Sequence, residues 1–314
     1  MFLHTLAHYV PEQRVPNAYF EGVNGLSDDW IVSRTGIRER RKAGPEENTH
    51  TMAWEAVQRA IARRADDGQS IDLIIAATYT PYDTVSTLAH YVQHRLELPD
   101  VPAVTITAAC SSLINAVEIV QGYFAMGKAR HALVVVSEHN TAFSNDHDPV
   151  AGHLWGDGAT ALLIHRERQT EADLEIRDLF TGGAATVGRS IEGVNLFPRH
   201  GGISMRNGKD VFTWACTFME QTANRILERN QLTMKQIAYF VPHQANLRIS
   251  KQVMQRLDLP EDRLLSNIQY LGNTGSAGCG IALSENRHRL QAGEYVIVTV
   301  FGGGYSYGAM LLRA

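Results

Sequence analysis

At 314 residues the chain is long enough to bury a large core, as one big domain or as two fused halves. Its 44% hydrophobic and 20% charged residues are those of a soluble globular enzyme, and a net charge of −4 gives no reason to expect nucleic acid or a membrane surface as partner. Three widely spaced cysteines, Cys110, Cys216 and Cys279, form neither a disulfide framework nor a metal-ligand pattern and fit a reducing compartment.

Residues 1–10 read as a first strand, with Pro11 and Pro16 making a turn after it. This stretch has no basic lead, and Pro11 and Glu12 cut its apolar run short, so a signal peptide is not expected. No run reaches the ~18 apolar residues of a membrane span, and the protein is expected in the cytoplasm. Residues 27–35 carry helix-start signals, Ser27 as cap and Asp28 and Asp29 in the first turn. Arg34, Arg38, Arg40, Arg41 and Lys42 follow, a cluster that reads either as a solvated face or as a place for phosphates. An amphipathic helix is expected at 51–64, a turn at 65–70, and at 71–78 a strand of the buried, parallel-sheet kind. The loop 78–87 leads into a short helix around 87–96, and further strands are expected at 104–109, 131–138 and 156–164.

Between two of these strands lies the stretch around which the chain is arranged. After Cys110, Ser111 and Ser112, the residues Leu113, Ala116, Val117, Val120 and Phe124 repeat at helical spacing. A cysteine at the first turn of a buried helix faces the positive end of the helix dipole, which favours the thiolate and lowers the thiol pKa. The same stretch also allows a small, inert, buried cysteine.

The second half repeats the first at an offset of 166 residues. Residues 71–77 fall on 237–243, the Cys110 helix on 272–293, 133–138 on the strand that runs into 301–304, and the helix at 51–64 on 217–230. Two similar halves, 1–165 and 166–314, each alternating strands and helices, make an α/β protein with parallel-rich sheets. Residues 165–210 have no partner in this scheme and read as a surface excursion, a lid or part of a pocket wall. In such sheets ligands gather beyond the carboxyl ends of strands. Those ends carry Cys110, His243, the loop with Asn273, and the glycines of 301–308, whose bare backbone suits close approach of a ligand.

The motifs WIVSRTGIRER at 30–40, AACSS at 108–112, WGDGATALL at 155–163, PHQANLRI at 242–249, GNTGSAG at 272–278 and FGGGYSYGA at 301–309 carry a resemblance over nearly the whole chain. The sequence resembles the β-ketoacyl-acyl carrier protein synthase III family, condensing enzymes of the thiolase superfamily. The resemblance implies a thiolase-like fold of two pseudo-symmetric βα halves in α-β-α-β-α layers. It implies a triad of Cys110, His243 and Asn273, an oxyanion hole from the N–H groups of Cys110 and Gly303, and no metal or redox cofactor. Asn273, where chain-elongating relatives carry a second histidine, points to the starter branch, which usually takes acyl-CoA primers. Trp30 and Arg34 resemble the pair that holds the nucleotide of coenzyme A. Asn246 would meet the pantetheine arm, and Arg248 and Lys251 the acidic acyl carrier protein.

The loop 78–87 is only weakly similar to the family, in which it helps close the acyl pocket across a homodimer interface. Val85 stands there in place of a bulky aromatic, which implies a deeper acyl pocket. This departure, with Ser111 and Ser112 after the cysteine, keeps open a specialised condensing enzyme of alkylresorcinol or alkylquinolone type, joining a longer acyl group to a β-ketoacyl thioester. A hydrolase shares the Cys-His-Asn set but has no need of two pantetheine-sized partners. Non-catalytic partner subunits of the superfamily typically lose the cysteine, which this chain keeps.

Overall fold

A computed structural model of the chain describes residues 1–65 and 69–314; the turn expected at 65–70 falls in part outside them. The strands are β1 (Phe2–Tyr9), β2 (Arg14–Pro16), β3 (Glu39–Arg41), β4 (Leu73–Ala77), β5 (Ala103–Ile106), β6 (His131–Glu138), β7 (Gly158–His165), β8 (Leu174–Gly183), β9 (Asn195–Phe197), β10 (Gly202–Ser204), β11 (Ile237–Pro242), β12 (Tyr295–Phe301) and β13 (Ser306–Arg313). The helices are α1 (Ala18–Asn24), α2 (Asp28–Thr35), α3 (Thr49–Ala62), α4 (Leu88–Arg95), α5 (Ser112–Ala125), α6 (Ser190–Gly193), α7 (Gly208–Asn230), α8 (Leu247–Arg256), α9 (Ile268–Leu271) and α10 (Gly278–Asn286).

Nine strands run in the order β11-β12-β13-β8-β1-β7-β6-β4-β5. The order is nearly palindromic about the β8–β1 junction, where only Phe2–Glu175 and Leu3–Leu174 pair. To one side lie β1, β7, β6 and β4, with β5 added at the edge; to the other lie β8, β13, β12 and β11 in the same relative places. The pairs β4–β6 and β11–β12 are parallel, while β7 and β13 run antiparallel to their neighbours.

Side chains of the inner strands alternate between two cores, which is why β4, β6 and β12 read as mainly apolar runs. Val134, Val136, Val296 and Val298 face a central core that contains α5 and α10. Leu133 and Val135 face α3 and α4 on one outer side, and Ile297 and Leu311 face α7 and α8 on the other. The layers are therefore helix, sheet, helix, sheet, helix. Each fully buried aliphatic side chain contributes roughly 1.5–3 kcal/mol, so the central pair α5 and α10 is fixed from both sides.

Local signals set several ends differently from the sequence pattern. Asn48 accepts from the N–H groups of His50 and Thr51, and Thr51 Oγ1 accepts from Asn48 N–H, a capping box that starts α3 before residue 51. Ser27 caps α2 through Trp30 N–H at 3.3 Å. The segment after Pro11 is more than a turn, because Arg14–Pro16 pairs antiparallel with Glu39–Arg41 as a two-stranded ribbon closed over α1 and α2. Residues 165–210 are not a surface excursion throughout. Their first part is β8, a central strand between β1 and β13, and periodicity hid it because its two faces meet different neighbours. The remainder, with β9 and β10, does form cavity wall.

Candidate active site

The strand expected at 104–109 stops at Ile106, and the chain turns sharply before the helix. Ala109 sits in the left-handed region at φ 50°, a conformation that costs an L-residue roughly 1–2 kcal/mol. Hydroxyls hold the turn. Ser112 Oγ accepts from Ala108 N–H at 2.8 Å and donates to Ala109 O at 2.6 Å. Ser111 Oγ lies 2.8 Å from Ala108 O, 2.7 Å from Asn115 Oδ1 and 2.9 Å from Ser306 Oγ, so the loop after β12 is tied to the cysteine turn. Gly302 closes the other side: a Cβ there would stand 2.7 Å from Cys110 N, an approach only glycine permits.

Cys110 precedes the first helical residue, Ser112, and is not in the first turn of α5. Burial pushes its thiol up to about 12, and the charge of Glu138 adds to that, while a hydrogen bond with Tyr79 acts the other way. The lowering expected from the helix dipole is thus reversed, because removing a thiolate from water outweighs a partial charge beyond the next residue. Glu138, at the end of β6, is itself fully buried and raised to about 7 by desolvation. It accepts from Thr78 Oγ1 at 3.1 Å, from Thr80 Oγ1 at 2.5 Å, from the N–H groups of Tyr79 and Thr80, and from Ser276 of the 272–278 loop.

His243 follows β11, and burial alone lowers its pKa to about 4, so the ring is neutral near pH 7. Its Nδ1 is buried with no hydrogen-bond partner among the described residues. Asn273 follows α9 and is fixed by its own turn: its Oδ1 accepts from Gly275 N–H at 2.9 Å, which leaves the side-chain NH2 as the free end. Its backbone is pinned to Leu154 O and Gly156 N at 2.8 and 3.0 Å. Cys110, His243 and Asn273 line one apolar cavity, with Met219, Phe301 and Tyr305 among its walls. A second cavity of about 200 Å³ opens on the other side of Cys110, between Tyr79, Thr107, Asn195, Leu196 and Ile203. Trp155, Val194 and Gly303 border both.

The remaining predicted residues lie on the surface. The Arg34 guanidinium stacks 4.4 Å over Trp30. Asn246 caps α8 through Arg248 N–H at 2.8 Å and donates to Arg34 O at 3.1 Å, so most of its amide is already engaged. Arg248 and Lys251 lie on exposed positions of α8, with Lys251 paired to Glu261 at 2.8 Å. Arg40 departs from the solvated reading of its cluster. It is fully buried, donates to Val15 O, Asn17 Oδ1 and His153 O, and stacks on Phe20. Val85 is 85% exposed and lines neither cavity of its own chain. Glu138, Tyr79, Asn140 and Ser306 were not singled out from the sequence. For Glu138 a signal existed, a lone acid closing an apolar strand.

Duplicated βα halves whose strand ends converge on a cysteine, a histidine and an asparagine define a condensing enzyme of thiolase fold. Residues 104–183 match the family 3-oxoacyl-(acyl-carrier-protein) synthase III, and residues 227–314 match its C-terminal region. β-Ketoacyl-(acyl-carrier-protein) synthase III of Clostridium perfringens is 35% identical over 317 residues, covering 97% of this chain and 96% of the relative. The crystal structure of 3-oxoacyl-(acyl-carrier-protein) synthase III from Aquifex aeolicus superposes with a TM-score of 0.92 at 32% identity, covering 100% of this chain and 99% of that one. The priming β-ketosynthase of the R1128 polyketide pathway has a TM-score of 0.89 at 29% identity, covering 99% and 95%. The chain belongs to the β-ketoacyl-acyl carrier protein synthase III family and is an acyltransferase of that condensing type.

Proposed function

We propose that Cys110 takes an acyl group from an acyl-CoA or acyl carrier protein thioester and passes it to a malonyl thioester with loss of carbon dioxide. The observation that carries this is the single cavity shared by Cys110, neutral His243 and an Asn273 amide whose oxygen is already spent. Cys110 attacks the thioester carbonyl, and its proton leaves with the departing thiol. The tetrahedral oxyanion takes hydrogen bonds from Cys110 N–H and Gly303 N–H; the N–H of Gly302 is engaged by Ser306 O at 2.8 Å. In the second half-reaction the enolate oxygen accepts from His243 and Asn273. Uncharged donors in an apolar cavity stabilise that charge without reorganising at the moment of reaction. The carbanion attacks the acyl carbonyl, releases Cys110 and gives a β-ketoacyl thioester. The reaction so written needs neither a metal nor a redox cofactor.

In this reading Trp30 and Arg34 hold the nucleotide of coenzyme A by stacking and phosphate contact, and Asn246 lends its remaining N–H to the pantetheine arm. Arg248 and Lys251 meet the acyl carrier protein. The acyl chain occupies the 200 Å³ cavity. In a homodimer Val85 of one protomer closes the partner's acyl cavity. The enzyme acts in the cytoplasm; among the described residues no helix is long and apolar enough to cross a membrane.

Intact-protein mass spectrometry with a chain-length series of acyl-CoA tests this. Wild type, Cys216→Ala and Cys279→Ala should gain the acyl mass, and Cys110→Ala should not; an adduct on Cys110→Ala would refute the assignment. Medium chains should react faster than acetyl, and Val85→Phe should reverse the order, since each lost methylene contact removes about 0.8 kcal/mol.

A further inference from the structure

Asn273 stands in a loop, and a loop residue keeps one geometry only where other groups fix it. Its Oδ1 is held by Gly275 N–H, so the free NH2 goes where the backbone at 273 goes. That backbone is bonded on both sides to residues 154–156. Asn273 N–H donates to Leu154 O at 2.8 Å, and Asn273 O accepts from Gly156 N–H at 3.0 Å. The two segments are as near as backbone permits, since a Cβ on Gly156 would collide with Leu271 O. A further contact comes from a side chain. Asn140, just past β6 and fully buried, donates through Nδ2 to Asn273 O at 3.2 Å and to Gly156 O at 2.8 Å. Both neighbours of Nδ2 are carbonyl oxygens, which fixes the orientation of the amide. Its Oδ1 accepts from the Tyr79 hydroxyl at 2.7 Å. Tyr79 lies just past β4 against Gly275, where a Cβ, at φ 59°, would collide with the phenol. The contacts close on themselves: Tyr79 orients Asn140, Asn140 holds the Asn273 carbonyl, and Gly275 meets both Tyr79 and the Asn273 side chain.

We propose that Asn140, oriented by the Tyr79 hydroxyl, is a positioning residue for Asn273 in the condensation half-reaction. The proposal rests on Asn273 being a donor to the enolate oxygen. Asn140 lines neither cavity beside Cys110, so it reaches the substrate only through Asn273. A donor stabilises a developing oxyanion when it already stands about 2.7–3.1 Å from the place where the charge will appear. Displacing such a donor by ~1 Å costs about 100-fold in rate. An apolar side chain at 140 would leave two buried carbonyls each short of a donor, a deficit the 272–278 loop can repair only by moving. Acylation does not use Asn273, so it is not expected to feel that movement.

The experiment measures single-turnover acylation by acyl-CoA and condensation with malonyl thioester on wild type, Asn140→Leu, Tyr79→Phe, Asn273→Ala and their double variants. Asn140→Leu should lower the limiting rate of condensation about 10- to 30-fold. Its half-saturating malonyl thioester and its acylation rate should stay near wild type. Tyr79→Phe keeps the donors of Asn140 but releases their orientation, and should slow condensation about threefold. Tyr79 acts through Asn140, and Asn140 through Asn273. Tyr79→Phe should therefore add nothing to Asn140→Leu, and neither should add to Asn273→Ala. Additive losses in either cycle overturn the proposal. So does unimpaired condensation by Asn140→Leu, or an acylation loss as large as the condensation loss, which is what a merely structural role would give. If Asn140→Leu does not fold, the cycle of Tyr79→Phe with Asn273→Ala decides the matter by the same criterion. Unimpaired condensation by Asn273→Ala would refute the donor reading itself, and the proposal with it.

Discussion

The two halves of the molecule end matching strands in opposite chemistry. In the first half β6 closes on Glu138, a buried carboxyl that gathers Thr78, Tyr79 and Thr80 and reaches Ser276 in the second half. In the second half β12 runs into the glycines 302–304, and β11 ends at a histidine kept neutral by burial. At the offset of 166 residues Glu138 corresponds to Gly304, and Cys110 to Ser276. The first half thus sets near its cysteine a carboxyl that disfavours the thiolate and ties residues 78–80 to the 272–278 loop. The second half offers uncharged donors and bare backbone. Where the nucleophile would stand in the second half, a hydroxyl instead satisfies the first half's carboxyl.

The comparison is broken most directly at the neutral donors. His243→Ala and Asn273→Ala should each slow decarboxylative condensation by about 10²- to 10³-fold and acylation by less. Single-turnover rates of the two half-reactions decide this, and equal losses would mean the halves do not divide the work. The neutrality of His243 can be read through stability. Its folded pKa is lowered from 6.5 to about 4, so the unfolded chain binds the extra proton between those values. The contribution is complete above pH 6.5 and is lost as pH falls toward 4. His243→Gln removes the site and should flatten this acid loss by up to about 3 kcal/mol. Urea midpoints of both proteins across that range measure it, and parallel curves would show that the ring is not held neutral. The smallest effect is expected at the rim. Arg248→Glu with Lys251→Glu should slow use of carrier-protein thioesters about tenfold, chiefly in the encounter, and spare coenzyme A thioesters. Equal loss with both substrates would place these residues elsewhere in the reaction.

Much of this protein is written in short-range pattern. Mainly apolar runs at 73–77, 131–138 and 295–301 mark strands buried on two faces, and the Leu113 to Phe124 period marks α5. PHQAN and GNTGSAG carry the family. These features are legible because burial of a face and the turn chemistry of glycine or asparagine act over a few residues. What tertiary structure alone decided depends on groups far apart in the chain. Strand β8 sits at the sheet centre through partners on β1 and β13, and Val85 is exposed and lines neither cavity of its own chain. The Cys110 thiol is raised, against the helix-start expectation, by enclosure and by Glu138. Tyr79, Asn140, Gly275 and Ser306 come together around it from separate strands and loops. A pKa sums desolvation and charge over all neighbours in space, and no local sequence pattern contains that sum.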